Sequence, residues 1–562
     1  MRFLKFTERS LVPVFIFLQP LILQAQEADR FAEIGNKVAA TRMHLLKTPT
    51  PPKLPNKILS ITTGKRNAFT PMNRLDTPDE LQEQLAKKRK QYEPFLQNHA
   101  PSLTASRDVI PLTKFNWRIE TGADTKNFSD VLQGKGSWEK VAIPHYGPPL
   151  GKAVTYYQTE IDLPTSFFRK GAVFIQFRAV DYKAHVFING SYVGSHEGAF
   201  APFEFDVTAV AHTGRNQVLV KVENDYPMQG HVGDDGRKLD GDKVYASTGL
   251  GYDDPVLGWH HNPPGMGIYQ GVQLEARSTL HINDIFVRPI KDSDTAEVWL
   301  EVNNTEAAYR NIQVQHSLYG RNFSQTVYTN AVYKPSTVHV PGVGDLAKPT
   351  DWEQKSLAMG KGVNFLRFRI HIPAAKRWNP ETPWLYQLQL KLLNENGDLL
   401  DVAQQQFGMR SFRMDTVQKP KGAMYLNNRF IRLRGANTMG SFMQDVKRKD
   451  WQQLIDDILL AKIANMNYMR MTQFPVQQEV YDYCDRLGLM TQTDLPLFGV
   501  LRRNKWAESV RQAEEMERLV RSHPCNVMVS YINERFPNAE GAPQRHLDTY
   551  EDFEKFFKAA DQ

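Results

Sequence analysis

An Asn–Glu pair ends an apolar stretch near the C-terminal end of the chain. Residues 523–534 read His-Pro-Cys-Asn-Val-Met-Val-Ser-Tyr-Ile-Asn-Glu, and residues 527–532 are almost continuously apolar and β-prone. This pattern predicts a strand buried on both faces, as in a parallel sheet. Glu534 then lies at the C-terminal end of the strand, the rim on which (β/α) barrels build their chemistry. It is a candidate catalytic acid, although a structural ion pair with a neighbouring arginine remains the alternative.

The region that must position this pair alternates strands with helices from residue 424 onward. Such alternation implies parallel strands joined by helical crossovers. It predicts the N-terminal half of a (β/α)8 TIM barrel, with space for one further helix at about 549–560. The predicted elements are strand one at 430–434, helix one at 449–464, strand two at 467–471, helix two at 477–487, strand three at 489–494, helix three at 506–521 and strand four at 527–533.

The residues around Glu534 resemble the acid/base motif of glycoside hydrolase family 2, which includes β-galactosidases, β-glucuronidases and β-mannosidases. The matching positions are His523, Pro524, Ser530, Asn533 and Glu534, while Val529 stands where the family usually has Trp. The resemblance implies that Glu534 is the general acid/base. It also implies that Asn533 hydrogen-bonds the sugar 2-hydroxyl, a contact that strengthens in the transition state.

Strand two resembles the family motif Asn-x-x-Arg-x-x-His-Tyr-Pro, with Asn467, Arg470 and Phe474-Pro475 at its positions. The resemblance implies that Arg470 braces the catalytic carboxylates from beneath. Gln473 replaces the family histidine, and its amide can hydrogen-bond a sugar hydroxyl but cannot carry a proton. Asp494, at the end of strand three, could contact the sugar or form a salt bridge to Arg502 or Arg503.

Two all-β regions precede the barrel. Residues 105–278 show short strands, among them 172–178, 184–188 and 218–222, with a hairpin signal at Asn189-Gly190. They resemble the family's sugar-binding jelly roll. Residues 279–412 resemble its immunoglobulin-like β-sandwich, which would brace the jelly roll against the barrel, and Phe407-Gly-Met-Arg410 matches the exit into residues 413–562.

The N-terminal 104 residues belong to none of these domains. Residues 1–26 have the charged, apolar and small-residue pattern of a cleaved signal peptide, which predicts export to the periplasm or outside the cell. Residues 27–104 form an extension with a Pro-rich linker and a capped amphipathic helix from Thr77-Pro78, which we expect to pack on the next domain. The two cysteines, Cys484 and Cys525, are expected to be buried thiols.

The composition of the chain limits the classes of partner that we expect it to bind. The net charge is +7, but the basic residues are scattered among 62 acids, which disfavours nucleic-acid binding. No membrane partner is expected. An insertion at 227–264 carries six aspartates that could hold Ca²⁺, although a solvated acidic loop fits the spacing better, because it does not match an EF-hand. No metal is expected in the catalytic site and no cofactor is needed for the chemistry.

The resemblance implies a retaining exo-glycosidase that acts on β-linked sugars at the non-reducing end of oligo- or polysaccharides. Retention needs two carboxyl groups about 5–5.5 Å apart. Glu534 supplies one, and the family's nucleophile lies on strand seven. We therefore expect the printed chain to be truncated after strand four, inactive alone, and able to bind a missing barrel half or a second copy through its open edges. The alternative is a non-catalytic carbohydrate-binding or scaffold protein that keeps the β domains.

Overall fold

The computed structural model describes Leu75, residues 77–147, 151–226, 231–232, 238–239, 241, 243–244, 266–334, 339–340, 344–345, 357–417, 421–438, 440–497 and 505–533. The predictions for the signal peptide, the linker, most of the 227–264 insertion, Glu534 and the helix at 549–560 lie outside these residues. In the part described, no helix is both long enough and apolar enough to cross a membrane.

The first β domain is a sandwich of two antiparallel sheets, with strand orders β1-β12-β5-β8 and β3-β2-β4-β9-β6-β7. Helix α1 (Pro78–Leu96) precedes it. The domain's elements are β1 (Asp108–Pro111), β2 (Lys114–Ile119), α2 (Gly122–Lys126), α3 (Phe128–Leu132), β3 (Glu139–Ala142), β4 (Ala153–Leu163), α4 (Thr165–Phe168), β5 (Gly171–Phe177), β6 (Lys183–Ile188), β7 (Ser191–Glu197), β8 (Phe203–Asp206), β9 (Gly214–Asn224), β10 (His231–Val232), β11 (Lys238–Leu239) and β12 (Val272–Ser278). Alternate residues of the two sheets fill its core. Asn189 and Gly190, at φ 52° and 80°, make the predicted turn between β6 and β7.

The second β domain packs a three-stranded sheet, β13-β14-β20, against a larger sheet, β16-β15-β21-β22, in which β19 also pairs with β15. The strands are β13 (Leu280–Pro289), β14 (Thr295–Asn304), β15 (Arg310–Gly320), β16 (Thr326–Val332), the short pair β17 (His339–Val340) and β18 (Gly344–Asp345), β19 (Ala358–Met359), β20 (Gly362–His371), β21 (Tyr386–Asn394) and β22 (Leu399–Phe407). Strand β21 reads Tyr-Gln-Leu-Gln-Leu-Lys-Leu-Leu-Asn, and all of its leucines are buried. The apolar side chains of both sheets form one closed core.

The third region contains an antiparallel sheet, β23-β24-β25, followed by a parallel sheet, β26-β27-β28-β29, with helices between the parallel strands. The elements are β23 (Phe412–Asp415), β24 (Ala423–Leu426), β25 (Arg429–Ile431), β26 (Gly435–Asn437), α5 (Ser441–Arg448), α6 (Trp451–Ile463), β27 (Tyr468–Met471), α7 (Gln478–Leu487), β28 (Met490–Asp494), α8 (Trp506–Val520) and β29 (Asn526–Ser530). Four successive parallel strands with helical crossovers are the arrangement that the alternating pattern predicts.

One predicted element at the start of this region, strand one at 430–434, was wrong. Residues 429–431 pair back to β24 because Asn427 and Asn428 adopt left-handed φ values of 49° and 63° and close a hairpin, so the first parallel strand begins only at Gly435. Predicted helix one, at 449–464, is confirmed as α6 (Trp451–Ile463), and the short helix α5 (Ser441–Arg448) that precedes it was not predicted. Lys449 is left-handed, at φ 57°, and the side chain of Asp450 accepts a hydrogen bond from the Gln453 N–H at 3.0 Å, which starts α6 anew.

Strand four is less buried than its apolar sequence predicts. Asn526 is buried, but residues 527–532 are only half-buried. The reason is positional, since β29 is the edge of the parallel sheet in the described part of the chain and has a hydrogen-bonded neighbour, β28, on one side. Cys484 and Cys525 are both buried free thiols, which confirms that prediction.

Helix α1 packs on the barrel helices α6 and α7, and not on the sandwich that follows it in the chain. Leu85, Tyr92 and Phe95 are the buried residues of the helix, and the Phe95 ring also contacts that of Trp384. The guanidinium of Arg89 donates two hydrogen bonds to the carboxylate of Asp456 on α6. The expectation that it packs on the next domain was therefore wrong, because the apolar stripe alone does not specify which surface it meets.

Helix α8 and the residue before it form hydrogen bonds and ion pairs with both sandwiches. In the first sandwich, Glu197 accepts hydrogen bonds from Arg511 at its backbone carbonyl and from Lys505 at its carboxylate, the latter at 2.8 Å. In the second sandwich, the carboxylate of Glu301 accepts a hydrogen bond from the guanidinium of Arg518 at 2.9 Å. The helix that leads into β29 is thus held from two sides by charged contacts.

Candidate active site

The carboxyl ends of the four parallel strands meet at one edge of the sheet, as parallel pairing requires. Asn437, Arg470 and Gln492 lie level with one another on β26, β27 and β28. Asp494 ends β28, and Asn533 follows β29 at the same edge. Five polar side chains from four neighbouring strands therefore lie at this rim.

Arg470 and Asp494 form a buried ion pair on this rim. The Nη2 of Arg470 lies 2.5 Å from Oδ2 of Asp494, whose side chain has no exposed surface. The carboxylate also accepts hydrogen bonds from the Gln473 backbone N–H at 3.0 Å and from Nε2 of Gln492 at 2.8 Å. A buried charge is tolerated when it is paired and hydrogen-bonded, and Asp494 meets both conditions.

The partner of Asp494 was not foreseen. The salt-bridge partners predicted from the sequence, Arg502 and Arg503, lie outside the described residues. The salt bridge that the structure shows is with Arg470. Within the described part of the chain the Asp494 carboxylate is held by Arg470, the Gln473 N–H and Gln492, so this residue serves as a brace for the rim. A direct sugar contact by Asp494 stays a prediction.

Asn533 is buried and is oriented by the same arginine. Nη2 of Arg470 donates to Oδ1 of Asn533, and the Asn533 backbone N–H donates to the Leu497 carbonyl at 2.9 Å. Among the described residues the Asn533 side-chain NH₂ has no protein acceptor, so it remains a donor at the rim. Asn533 is the last described residue, and Glu534 follows it in the chain.

Gln473 has an uncommon backbone conformation. Its φ is 59° and its side chain is buried. Left-handed residues other than glycine are rare and concentrate at functional sites. The hydrogen bond from its N–H to Asp494 holds this conformation, so the brace fixes Gln473 as well as Asn533. The predicted contact between its side chain and a sugar remains a prediction.

Sequence reasoning missed two members of the network, Tyr468 and Gln492. The Tyr468 hydroxyl donates to Oε1 of Gln492 at 2.5 Å, and Gln492 in turn orients Asp494. The signal was available in the period of two along each strand, which places Tyr468 with Arg470 and Gln492 with Asp494 on one face. Burial, with the charge of Asp494 adding to it, raises the pKa of Tyr468 to about 12, so its hydroxyl stays a donor.

A second polar cluster lies at the opposite end of β29. Nδ1 of His523 is 2.7 Å from Oδ2 of Asp485, and Oδ1 of Asp485 accepts the Cys525 backbone N–H at 2.9 Å. With Asp482, these groups offer three ligand atoms within 4.8 Å of one another, a spacing that could hold a metal ion. Both oxygens of Asp485 are already hydrogen-bonded, however, so the cluster fits a structural His–Asp pair that anchors the start of β29.

The His523–Asp485 pair should make the free energy of unfolding depend on pH. Burial alone would lower the pKa of His523, but the Asp485 carboxylate outweighs it, and the pKa is raised above its ordinary value. The charged pair therefore stabilises the fold fully below the unfolded pKa of about 6.5, and this contribution is lost as pH rises through the raised folded pKa. We expect His523→Gln to lower the free energy of unfolding by about 1–3 kcal/mol at pH 6.

Urea unfolding between pH 5.5 and 8.5 measures this effect. The difference between the wild type and His523→Gln should narrow as pH rises. His212→Gln, at an exposed histidine, is the matched control and should change neither stability nor its pH dependence. A difference that is constant over the whole range would show that His523 is not charged in the folded protein.

Three family models match the chain. They are described as "Glycosyl hydrolases family 2, sugar binding domain" over residues 139–254, "Glycosyl hydrolases family 2" over 280–410, and "Glycosyl hydrolases family 2, TIM barrel domain" over 417–561. Their order along the chain is the order of the two sandwiches and the parallel sheet.

Individual relatives agree with these models. The chain is 25% identical over 420 residues to a β-galactosidase of Thermoanaerobacter pseudethanolicus, covering 70% of this chain and 48% of that enzyme. It is 24% identical over 431 residues to a putative β-glucuronidase of Formosa agariphila, covering 73% and 45%. The chain thus spans about half the length of the curated relatives it matches.

A solved structure shows the same fold. The β-glucuronidase of Bacteroides uniformis superposes with a TM-score of 0.60 at 19% identity, over 81% of this chain and 51% of that one. A putative β-galactosidase of Bacteroides fragilis gives a TM-score of 0.60 at 18% identity, over 81% and 62%.

Proposed function

The chain belongs to glycoside hydrolase family 2, and from this membership and the geometry of the rim we propose that it carries the acid/base half of a retaining β-glycosidase. The observation that carries the proposal is the position of Asn533, which is buried at the carboxyl edge of the parallel sheet and held there by Arg470. Glu534 follows Asn533 in the chain and is the proposed acid/base, and the carboxyl edge of the sheet is where barrel enzymes place catalysis.

Each rim residue then has a role. Glu534 protonates the leaving glycosidic oxygen and later deprotonates the attacking water. The NH₂ of Asn533 donates to the sugar 2-hydroxyl. Arg470 touches no reacting atom in this scheme and is a positioning residue, since it fixes the Asn533 amide and is itself fixed by buried Asp494. Gln473 lines the rim with a neutral side chain and takes no part in proton transfer.

The substrate class follows from the relatives. Those reported above are a β-galactosidase and a putative β-glucuronidase, so the proposed substrate is a saccharide with a β-linked galactose or glucuronic acid at its non-reducing end. The proposed location is the periplasm or the exterior of the cell, on the strength of the N-terminal pattern.

The four described parallel strands are half of the eight that close such a barrel. A retaining mechanism needs a second carboxylate as nucleophile, about 5–5.5 Å from the first. In the proposed scheme the nucleophile comes from the strands that complete the barrel. A polypeptide of residues 1–562 by itself is then expected to show no useful turnover.

A panel of aryl β-glycosides tests this function. A protein with the complete eight-stranded barrel is expected to hydrolyse at least one aryl β-galactoside or β-glucuronide, while residues 1–562 alone release no phenol above the buffer rate. Turnover by residues 1–562 that is lost in Glu534→Gln would place a nucleophile within the printed sequence. Saccharide binding without hydrolysis by the complete protein would favour a non-catalytic binding protein.

A further inference from the structure

A cavity of about 320 Å³ lies where the second sandwich, the link into the barrel and the start of β29 meet. Its walls come from the end of β13, from residues 407–413 and from the turn at 521–524. This turn precedes β29, whereas Asn533 follows that strand. The cavity is therefore at the opposite end of the strand from the catalytic rim and is a separate site.

The lining of this cavity is strongly basic. Among the described residues that line it there is no aspartate or glutamate, and five of the side chains are cations. They are Arg288, Lys291, Arg410, Arg413 and Arg521. A concave surface lined by one sign of charge focuses its field on the space inside and favours an anionic occupant.

Three of these five cations form only long ion pairs with carboxylates. Each stands 3.7–3.9 Å from a carboxylate oxygen, which is too long for a hydrogen bond. The pairs are Arg288 with Glu297, Lys291 with Asp292, and Arg413 with Asp415. Arg521 differs, because it pairs closely with Asp284 and lies 4.8 Å over the Phe286 ring, which makes it part of the wall.

Arg410 adds a buried charge that has no carboxylate oxygen within 4.0 Å among the described residues, although Asp485 acts on it from a longer distance. Its Nε donates to the Pro524 carbonyl at 2.9 Å and its Nη2 to the Asn526 carbonyl at 2.5 Å, so both known acceptors are neutral. The hydroxyls of Ser411 and Ser522 also line the cavity, and within the described residues neither has a hydrogen-bond partner. The site thus combines the loosely paired side chains of Arg288, Lys291 and Arg413 with two serine hydroxyls as donors for a ligand.

Close packing keeps this arrangement in place. A Cβ on Gly408 would come within 2.8 Å of the Pro524 side chain and 3.0 Å of Trp378, so the link and the turn approach each other as only a glycine permits. The carbonyl contacts of Arg410 tie the same two segments together. The walls of the cavity are therefore preorganised before a ligand arrives.

We propose that this cavity binds a dianionic oxyanion, either free sulfate or phosphate or the phosphate monoester group of a saccharide. Arginine forks match the oxygens of such groups with two parallel hydrogen bonds. A dianion gains about twice the Coulomb attraction of a carboxylate in the same field, and no lining acid repels it. The volume exceeds what a bare ion needs, which leaves space for part of a sugar ring. The site is independent of the proposed glycosidase activity.

Calorimetric titration of the full chain with sodium sulfate and sodium phosphate, at constant ionic strength set with chloride, tests the site. We expect saturable one-site binding and a thermal midpoint that rises with anion concentration, because a ligand of the folded state stabilises it by mass action. The triple variant Arg288→Gln/Lys291→Gln/Arg413→Gln should bind at least tenfold more weakly. All three side chains are more than a third exposed, so the variant keeps its fold.

The matched control is Lys135→Gln/Arg215→Gln/Arg310→Gln, which removes three exposed cations outside the cavity and should bind as the wild type does. Glucose 6-phosphate that binds more tightly than free phosphate at pH 7.5 would identify a saccharide ester as the ligand, and the reverse order would identify the free ion. Sodium acetate binding as tightly as sulfate, or an equal loss in both triple variants, would overturn the proposal.

Discussion

In the protein with a complete barrel, Glu534→Gln is expected to reduce hydrolysis of glycosides with poor leaving groups by about 10²–10⁴-fold, the usual contribution of a general acid. Activated aryl glycosides should lose far less in bond cleavage, because a nitrophenolate leaves without being protonated. Glutamine has nearly the same shape as glutamate but has no proton to give. The two substrates therefore separate loss of the acid from loss of the site.

The measurement is kcat/KM for an alkyl and a dinitrophenyl glycoside of the same sugar. Glu514→Gln, on the exposed side of α8, is the matched control and should leave both values unchanged. An equal loss on the two substrates would mean that Glu534 is not the acid.

Arg470→Met is expected to destabilise the protein by about 3–5 kcal/mol, since it leaves the fully buried Asp494 carboxylate without its ionic partner. The same change releases the Asn533 amide, which Arg470 also holds. Replacing both partners, as in Arg470→Met/Asp494→Leu, should recover part of the loss, because no uncompensated charge then remains.

Urea unfolding measures this prediction against a matched ion pair. Arg377 and Asp294 lie 2.5 Å apart like Arg470 and Asp494, but both side chains are about one-third exposed, so Arg377→Met should cost less than about 1 kcal/mol. If the two single variants were equally destabilised, the Arg470–Asp494 pair would not be the brace of the rim.

The elements of the barrel region could be predicted from sequence because their signals are local. Helix α7 can be recognised from residues that are close together in the sequence, including the glycine at 488 that ends it. The observed helix, Gln478–Leu487, differs from the predicted one by a single residue at its start. The hairpin at Asn427-Asn428 had an equally local signal, but the apolar residues after it were assigned to the first parallel strand.

The brace of the rim could not be predicted in the same way. Arg470 and Asp494 are 24 residues apart in sequence and meet only because β27 and β28 pair in one particular register. The motif resemblance identified Arg470 and Asn533 individually but did not give the hydrogen bond between them. Docking of α1 on α6 and α7 is likewise a property of two surfaces, and the amphipathic stripe of α1 describes only one of them.

Azide trapping tests whether Asn533-Glu534 carries the acid/base of a retaining glycosidase. Glu534→Gln in the complete protein, given a dinitrophenyl β-glycoside and sodium azide, should still form the glycosyl-enzyme and should release it as the β-glycosyl azide, because azide attacks without a general base. NMR of the product gives its anomeric configuration. An α-configured azide would show that the enzyme is not retaining, and a rate that azide does not increase would show that Glu534 is not the acid/base.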